Sequence, residues 1–283
     1  MIAWGCVVVS SLLSAGGSLD GGFPLAAVFP VPSGGLVVAR VDGGISVLPR
    51  LAGFRFLDGD LSHDGLRVIA SAEASGSVNS ELYWFDGRSP DAGWQRVPLP
   101  PAGFRGAPRF RRDGRGIVFS ARAGPGPGGP GNPTQVFGLA SLASTAPVRL
   151  SQANACYFGA APVSEKAFVA VKTNCFFSPT LVVGNAVDAG VRETQLGLAQ
   201  PDDEFAASPD GRVVVQLQRA DGFIRALDVG TGRRELFRLS ENYTGHLHPR
   251  FICPRDLMFT ANGSVFIVNT YDGGVSKVGI DDR

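Results

Sequence analysis

The chain has 283 residues, and only 18% of them are charged, which is less than the ~25% typical of soluble domains. The formal net charge of +1 at pH 7 excludes an electrostatic case for nucleic acid or an anionic membrane surface as the partner. The 38 glycines and 20 prolines, without sustained 3.6-residue periodicity or helix caps, predict an all-β chain rich in turns. No segment has the composition of a linker, so we expect one large β domain.

The amino terminus carries an apolar segment, Ile2 to Leu13, followed by small residues up to Ser18. This profile is typical of a signal-peptide core and its cleavage region, although no Lys or Arg precedes it. The segment is shorter than the ~20 apolar residues of a spanning helix, so no transmembrane span is expected. The alternatives are a lipoprotein anchored at Cys6 and an ordinary strand, Trp4 to Ser11, of a cytoplasmic protein.

We expect residues 1–18 to form a signal peptide or an N-terminal strand, and residues 19–283 to form the folded domain. The signal-peptide interpretation places the mature protein in the periplasm or in the secreted space. Whichever alternative holds, the fold argument rests on the residues that follow.

A short phrase recurs along the chain. It occurs as SHDGLRVIASA at Ser62–Ala72, RRDGRGIVFSA at Arg111–Ala121, SPDGRVVVQLQ at Ser208–Gln218 and TANGSVFIVNT at Thr260–Thr270. Each copy joins an Asp-Gly or Asn-Gly turn to an alternating apolar run, the pattern of a tight β-hairpin. Repetition of one hairpin unit predicts an array in which each unit covers its neighbour's apolar face. The pairs Asp64-Gly65, Asp113-Gly114 and Asp210-Gly211 are therefore predicted to form turns.

The spacing of the repeats indicates the kind of array. Gly65, Gly114 and Gly211 are separated by 49 and 97 residues, and a degenerate turn at Ser164–Ala167 divides the longer interval. The phrases APRF at Ala107–Phe110 and HPRF at His248–Phe251 are 141 residues apart, which corresponds to three repeats. Four-stranded propeller blades repeat every ~40–50 residues, so the chain is predicted to be a single β-propeller.

Six units follow one another in chain order. The first is short and begins with PLAAVFPV, and the others span Arg55–Leu99, Pro108–Leu150, Phe158–Leu196, Phe205–Leu239 and Pro249–Ile280. Six blades are therefore predicted; five, or seven with an added strand at Ile2–Ser11, remain alternatives. Pro24–Val31 is our candidate for a strand that closes the ring by pairing with the last blade. The tract AGPGPGGPGNP, Ala123–Pro133, is predicted to be an exposed loop between two strands.

The cysteines are Cys6, Cys156, Cys175 and Cys253. Cys156 and Cys175 lie equally far from the centre of the Glu165-Lys166 turn, which places them opposite each other in a regular hairpin. Opposed Cβ atoms are within ~4.5–5.5 Å, close to disulfide range. A bulge or a register slip would remove the match, and the alternative is a pair of buried thiols. A disulfide would imply an oxidising compartment.

The repeats resemble those of the TolB-type β-propellers, which carry a Ser-Pro-Asp-Gly turn. The best match is ASPDGRVVVQLQRADGFIRALDVGTGRRELFRLS at Ala207–Ser240, and Gly131–Ser151 follows the same order of strands and turns. Three units depart from the signature, with Ser33-Gly34-Gly35, Ser164-Glu165-Lys166 and Pro254-Arg255-Asp256 in place of the turn. The resemblance implies a binding platform of the cell envelope or secreted space that makes protein–protein contacts. This functional step is an analogy, because a fold hosts many functions.

Catalytic motifs are missing from the sequence. It contains no G-x-S-x-G, no P-loop, no dinucleotide-binding fingerprint after a strand and no H-E-x-x-H. The residues therefore favour a non-catalytic scaffold without a cofactor, which binds a partner protein through its loops and central channel. We expect a monomer, since a closed ring has no obligatory edge to pair.

The segment YTGHLHP, Tyr243–Pro249, carries the alternative function. His246 and His248 point to the same side in an extended chain and precede the innermost strand of the last unit. With a third ligand they would bind a metal at the mouth of the channel, as in a lyase, a hydrolase or a small-ligand binder. His63 or the triplet Asp202-Asp203-Glu204 could supply that ligand. The alternative is that these histidines only bond backbone or water, and that the acidic triplet is solvated or meets a cation or a basic partner.

Exposed aromatics are the other candidate contacts. Phe176 and Phe177 follow Cys175 at a strand end, and with Tyr243 they could anchor a partner. Tyr83, Trp84 and Phe85 share one strand, and alternation predicts that Trp84 packs on the face opposite the other two.

The arginines of one short segment are predicted to lie on a solvated blade edge; they are Arg109, Arg111, Arg112 and Arg115.

Overall fold

We describe the protein from a computed structural model. The structure describes residues 26–30, 34–40, 45–62, 64–100, 103–111, 113–122, 132–174, 179–187, 190–199, 204–207, 213–218, 223–231, 234–238, 254–259, 265–269 and 275–278. Every regular element in these ranges is a β-strand, apart from one 3-10 turn at Pro90–Ala92. The all-β prediction is confirmed.

The strands form antiparallel sheets in which chain neighbours pair. Sheet 1 contains β1 (Ala26–Pro30), β2 (Leu36–Arg40) and β3 (Ile45–Val47). Sheet 2 contains β4 (Phe54–Leu61), β5 (Arg67–Ala74), β6 (Ser80–Asp86) and β7 (Gln95–Arg96). Sheet 3 contains β8 (Phe104–Phe110), β9 (Ile117–Arg122), β10 (Gln135–Leu139) and β11 (Val148–Arg149).

The second half of the chain continues the pattern. Sheet 4 contains β12 (Cys156–Pro162), β13 (Ala167–Thr173), β14 (Thr180–Val187) and β15 (Gly190–Leu198). Sheet 5 contains β16 (Glu204–Ala207), β17 (Val213–Gln218), β18 (Phe223–Asp228) and β19 (Arg234–Arg238). Sheet 6 contains β20 (Pro254–Phe259), β21 (Val265–Asn269) and β22 (Val275–Val278).

The first strands of the sheets lie next to one another. Each of β1, β4, β8, β12 and β16 contacts the first strand of the following sheet, and β20 contacts β1. Sheets of up to four strands in a cycle around their first strands form a β-propeller, whose innermost strands surround a central channel. We call these first strands the inner strands. For the whole chain, the number of blades stays a prediction of six.

The recurring phrase lies at one topological position. In sheets 2 and 3 it joins the first strand to the second, and residues 164–166 join β12 to β13 in the same way. In the first copy, Ser62 Oγ accepts from Arg67 N at 2.9 Å and donates to Asp64 Oδ1 at 2.6 Å. Gly65 has a φ of 68°, which an L side chain rarely adopts. The local sequence therefore dictates the hairpin.

The hydrophobic core lies between sheets. Four buried clusters join sheet 1 to 2, 2 to 3, 3 to 4 and 4 to 5. Tyr83 and Phe85 belong to the first cluster, whereas Trp84 packs against the second. The prediction that Trp84 faces the opposite side is thus confirmed, and each blade contributes apolar side chains to both of its neighbours.

Sheet 4 shows how tightly a blade is packed. The ring of Phe168 is fully buried and meets Tyr157 edge-on, with 5.8 Å between ring centroids. A Cβ atom at Gly184 would lie 2.4 Å from two carbons of the Phe168 ring. Gly184 is therefore required here by the close approach of the ring to the backbone of β14.

Two predictions about the chain ends are wrong. Pro24–Val31 was predicted to pair with the last blade, but β1, which lies within it, pairs with β2 as the first strand of sheet 1. Pro254-Arg255-Asp256 was predicted to replace a turn, but these residues begin β20. The turn of that sheet falls instead at residues 260–264, where the Asn-Gly copy of the phrase stands.

The phrases APRF and HPRF do not occupy equivalent positions. APRF ends β8 directly before its hairpin, whereas HPRF stands before the start of β20 and lies outside the described residues. The interval of 141 residues between them is therefore out of phase with the blades. The Gly/Pro tract does fall between two strands, β9 and β10, although most of it is likewise outside the described ranges.

Candidate functional site at the inner strands

Strand alternation defines two ends of the ring. Near the starts of β6 and β8, Ser80 Oγ donates to the backbone oxygen of Arg105 at 2.6 Å. At the other ends of β4 and β8, Phe110 N donates to Asp60 Oδ2 at 2.7 Å. The inner strands of sheets 2 and 3 therefore run in the same direction. We call the end where inner strands begin the upper end, and the end with the Asp-Gly hairpins the lower end.

The chain order puts the predicted site residues between the described strands. Phe176 and Phe177 stand between β13 and β14, Asp202 and Asp203 stand before β16, and Tyr243, His246 and His248 stand between β19 and β20. In an antiparallel blade, these connections precede either the first or the third strand. Of this set only Glu204 is described: it begins β16 and pairs with Leu217. The others lie outside the described residues.

The predicted metal site stays a prediction, because His63, His246 and His248 lie outside the described residues. The neighbours of His63, Ser62 and Asp64, belong to the hairpin between β4 and β5. Among the described residues, no three His, Cys, Asp or Glu side chains come together as metal ligands.

The register of β12 and β13 differs from the predicted one. Thr173, not Cys175, pairs with Cys156. A bulge between Phe158 and Ala161, where the register shifts by one residue, accounts for one residue of this difference; the other is already present beside the turn, where Pro162 pairs with Phe168. Cys175 lies outside the described residues, two positions beyond Thr173, so a regular continuation of β13 would place it diagonal to Cys156. The disulfide stays a prediction.

Bulges recur along the inner strands. The register shifts between Phe56 and Asp58 in β4, between Gly106 and Arg109 in β8, and between Pro254 and Leu257 in β20. With the bulge in β12, four of the six inner strands have one. A bulge turns side chains away from the regular alternation and is common next to functional sites. In β8 it places Ala107 at a φ of 47°.

Charged side chains join two inner strands. Arg109 Nη1 donates to Asp58 Oδ2 at 3.2 Å and to the backbone oxygen of Pro108 at 3.0 Å. The side chains of Arg109 and Asp58 are 23% and 29% exposed. The prediction that this arginine lies on a solvated edge is therefore wrong. The Asp-Gly-Asp run at residues 58–60 was a signal that sequence reasoning missed.

An aromatic side chain is exposed on the inner strand of sheet 4. Phe158 is 37% exposed and lies at the bulge of β12, next to Gly159, which has a φ of 51°. Exposed aromatics mark contact sites for partner molecules. Sequence reasoning sought such anchors at Phe176 and Phe177 and missed this one, because regular alternation gives no sign of a bulge.

The preceding residue, Tyr157, belongs to a polar network. The hydroxyl of Tyr157 donates to one carboxylate oxygen of Glu193, and the ammonium of Lys172 donates to the other. Lys172 Nζ also donates to Gln152 Oε1 at 2.8 Å. Burial, and then the hydrogen bond to Glu193 and its charge, raise the pKa of Tyr157. Its phenol therefore stays protonated and acts as a donor, not as a base.

Within the residues that the structure describes, no helix has the length and apolarity needed to cross a bilayer.

Comparisons with known proteins show which fold the chain has. No family model and no curated protein matches the chain. Among solved structures, TolB from Acinetobacter baumannii is similar at 16% identity and a TM-score of 0.58, over 90% of this chain and 63% of that one. This chain thus spans less than two thirds of that TolB chain.

Two further solved structures are similar to the chain. An Agrobacterium tumefaciens protein assigned as TolB has 14% identity and a TM-score of 0.53, over 91% of this chain and 89% of that one. An oligogalacturonate lyase in complex with manganese has 13% identity and a TM-score of 0.57, over 91% and 75%. Identities this low carry information on fold alone. The chain has the TolB-like β-propeller fold that its repeats predict.

Proposed function

We propose that the chain is a non-catalytic protein-binding scaffold of the cell envelope or secreted space, which binds its partner at the upper end and the mouth of the central channel. The observation that carries this proposal is the exposed ring of Phe158 at the bulge of an inner strand. A rigid, partly apolar surface at a channel is suited to anchoring a protein segment.

The charges of the inner strands support a scaffold. Asp58, Asp60 and Arg109 bond across the boundary between two blades. Glu193 and Lys172 bond within one blade, and Tyr157 keeps its proton. These bonds stabilise the ring, and the charge of each group is compensated by another group of the protein. The upper-end residues Phe176, Phe177, Tyr243 and the triplet Asp202-Asp203-Glu204 belong to the same proposal as further contacts.

Photo-crosslinking from the channel tests the proposal. A benzophenone-bearing residue replaces Phe158, and in a matched control it replaces Val148, which is 62% exposed on the outer strand β11. We expect one discrete protein adduct from position 158 and none from position 148. The purified adduct partner should then bind the unlabelled chain, and Phe158→Ser should weaken binding about tenfold, since losing one aromatic anchor costs more than ~1 kcal/mol. Equal adducts from both positions would contradict the proposal.

The second candidate is a lyase- or hydrolase-type enzyme, or a metal binder, that uses His246 and His248. The solved lyase with the same fold contains manganese, which is a reason to test this chain for metal. Protein purified from manganese-supplemented medium is measured by elemental mass spectrometry, beside the variant with both His246→Ala and His248→Ala. The scaffold proposal predicts no stoichiometric metal in either. One ion per chain that disappears in the double variant would establish the second candidate.

We also propose export, with removal of part of residues 1–18, and a disulfide between Cys156 and Cys175. Cys156 is 1% exposed at the start of β12. From the register, Cys175 follows Thr173 on the same side of β13. Diagonal Cβ atoms in a sheet are up to ~7–8 Å apart, so the bridge requires β13 to bend towards β12 after Thr173.

A further inference from the structure

The lower end of the ring holds two arginines against one turn. The turn Asp113–Gly116 joins β8 to β9, and Gly114 and Gly116 are buried in it. A Cβ atom at Gly114 would lie 3.6 Å from Arg67 Nη2. A Cβ atom at Gly116 would lie 3.1 Å from Arg111 Nε. The guanidinium groups of Arg67 from sheet 2 and Arg111 from sheet 3 thus pack on the same glycine-rich backbone.

Both guanidinium groups lack acceptors. The Nε atoms of Arg67 and Arg111 are buried and have no hydrogen-bond partner. Arg111 Nη1 makes one long bond, 3.4 Å, to the backbone oxygen of Leu139. A buried cationic donor without an acceptor is costly, because it has lost water and gained nothing in return. The site therefore calls for an acceptor from outside the chain.

Two other arginines show the contrast. Arg122 Nε is also buried without an acceptor, but its guanidinium stacks 4.8 Å above the Phe104 ring. Arg88 Nε donates to Asp86 Oδ1 at 3.1 Å, and Arg88 Nη2 lies 3.7 Å from Asp64 Oδ2. In the described part of the chain, neither Arg67 nor Arg111 stacks on an aromatic face or forms a salt bridge; each acts on an aspartate, Asp64 or Asp113, through its charge alone.

The nearby carboxylates are occupied by the turns. Asp113 Oδ1 accepts from Arg115 N at 2.9 Å and from Gly116 N at 3.0 Å. Asp64 Oδ1 accepts from Ser62 Oγ and Leu66 N. These carboxylates therefore act on Arg67 and Arg111 through their charge, without a hydrogen bond to either guanidinium.

We propose that Arg67 and Arg111 form a binding site for an oxyanion, either a carboxylate or a phosphate group. The Nε–H and Nη–H groups of a guanidinium form a planar fork that matches two oxygens of such a group. This site is at the end of the ring opposite the proposed partner-binding surface, so it does not depend on that function.

NMR of the arginine Nε–H groups tests the site. The full chain, labelled with 15N, is titrated in separate arms with inorganic phosphate, acetate and chloride at matched ionic strength. We expect the Nε–H signals of Arg67 and Arg111 to shift and saturate at millimolar phosphate or acetate but not with chloride. Saturation with phosphate only indicates a phosphate ligand, and saturation with acetate indicates a carboxylate ligand.

Substitutions locate the effect. Arg67→Gln or Arg111→Gln should weaken the anion about tenfold, and Arg88→Gln, the matched control, should leave the Kd within about twofold. If either glutamine variant does not fold, Arg67→Lys and Arg111→Lys keep the charge, lose the fork and should still weaken binding. Signals that shift equally with chloride, do not saturate, or respond equally in the Arg88→Gln variant would overturn the proposal.

Discussion

Asp113 shows how a single residue dictates a hairpin. Its carboxylate accepts two backbone N–H groups from the residues that follow, so the turn is closed by local bonds. Burial alone would raise the pKa of Asp113, but these hydrogen bonds and the charges of Arg111 and Arg115 outweigh burial and lower it. The same chemistry recurs at Asp64. The phrase repeats in these two units because both hairpins are closed by the same bonds.

Replacing Asp113 tests the bonds. Asp113→Ala should lower the free energy of unfolding by about 1–2 kcal/mol, since two N–H groups lose a charged acceptor. Denaturant unfolding across pH checks this. The folded pKa is below the ordinary value of an aspartate, so the contribution is present above pH ~4 and is lost as the pH falls through the folded pKa.

The matched variants are Asp113→Asn and Asp91→Asn. The first should show a deficit that shrinks in acid, whereas the second changes an exposed aspartate of the 3-10 turn and should show none. A deficit for Asp113→Asn that stays constant from pH 7 to pH 2 would contradict the account.

Inner strands are held by contacts that cross between blades. Asp58 is in β4 and Arg109 is in β8, 51 residues apart in the chain. Both lie at bulges, which turn them towards each other instead of into the regular alternation. A second hydrogen bond joins the same two strands: Phe110 N donates to Asp60 Oδ2. The two blades are therefore joined by polar as well as apolar contacts.

A double-mutant cycle measures the coupling energy between Asp58 and Arg109. Asp58→Asn and Arg109→Met should each destabilise the fold by about 1–3 kcal/mol, because each leaves a half-buried partner uncompensated. The coupling energy from denaturant unfolding should be about 0.5–2 kcal/mol.

The control pair is Arg55 and Glu73, which lie within one blade, and the Arg55 side chain is 64% exposed. Exposed pairs typically contribute about 0–1 kcal/mol. If the coupling energy between Asp58 and Arg109 is no larger than that of the control pair, this ion pair does not stabilise the fold.

The whole molecule is a ring in which each sheet is covered by its neighbours. Because the apolar faces of the described sheets 1 to 5 are buried against one another, the ring should unfold cooperatively. Its ends differ: the lower end contains the Asp-Gly hairpins and the arginine pair, and the upper end is where we propose that the partner binds. This polarity follows from strand alternation, since all inner strands of a propeller start at one end.

Intact mass tests export and the disulfide together. The protein expressed with its native amino terminus is alkylated before and after reduction. We expect cleavage between Ser14 and Ser18, and two thiols that become reactive only after reduction, mapped to Cys156 and Cys175. Retention of Met1 with every thiol free would refute both proposals and would make residues 4–11 available as a strand.

Much of the fold could be predicted from the sequence. The hairpins around Gly65 and Gly114 follow from short-range chemistry, and the placement of Trp84 follows from strand alternation. The candidate site was harder to predict. Phe158 lies at a bulge that also accounts for part of the Cys156 register, and the local sign of that bulge is Gly159, a glycine inside the strand.

The sequence by itself determined the repeat, the hairpins at its Asp-Gly turns and the all-β class, because these depend on backbone preferences and alternation over a few residues. Only the tertiary structure decided which side chains meet. Arg109 belongs to a run of arginines that looks solvated in sequence, yet it pairs with Asp58 across a blade boundary. Arg67 and Arg111 meet one turn from two different sheets. Contacts of this kind depend on bulges and on the position of one blade against the next, and neither is encoded by the local pattern.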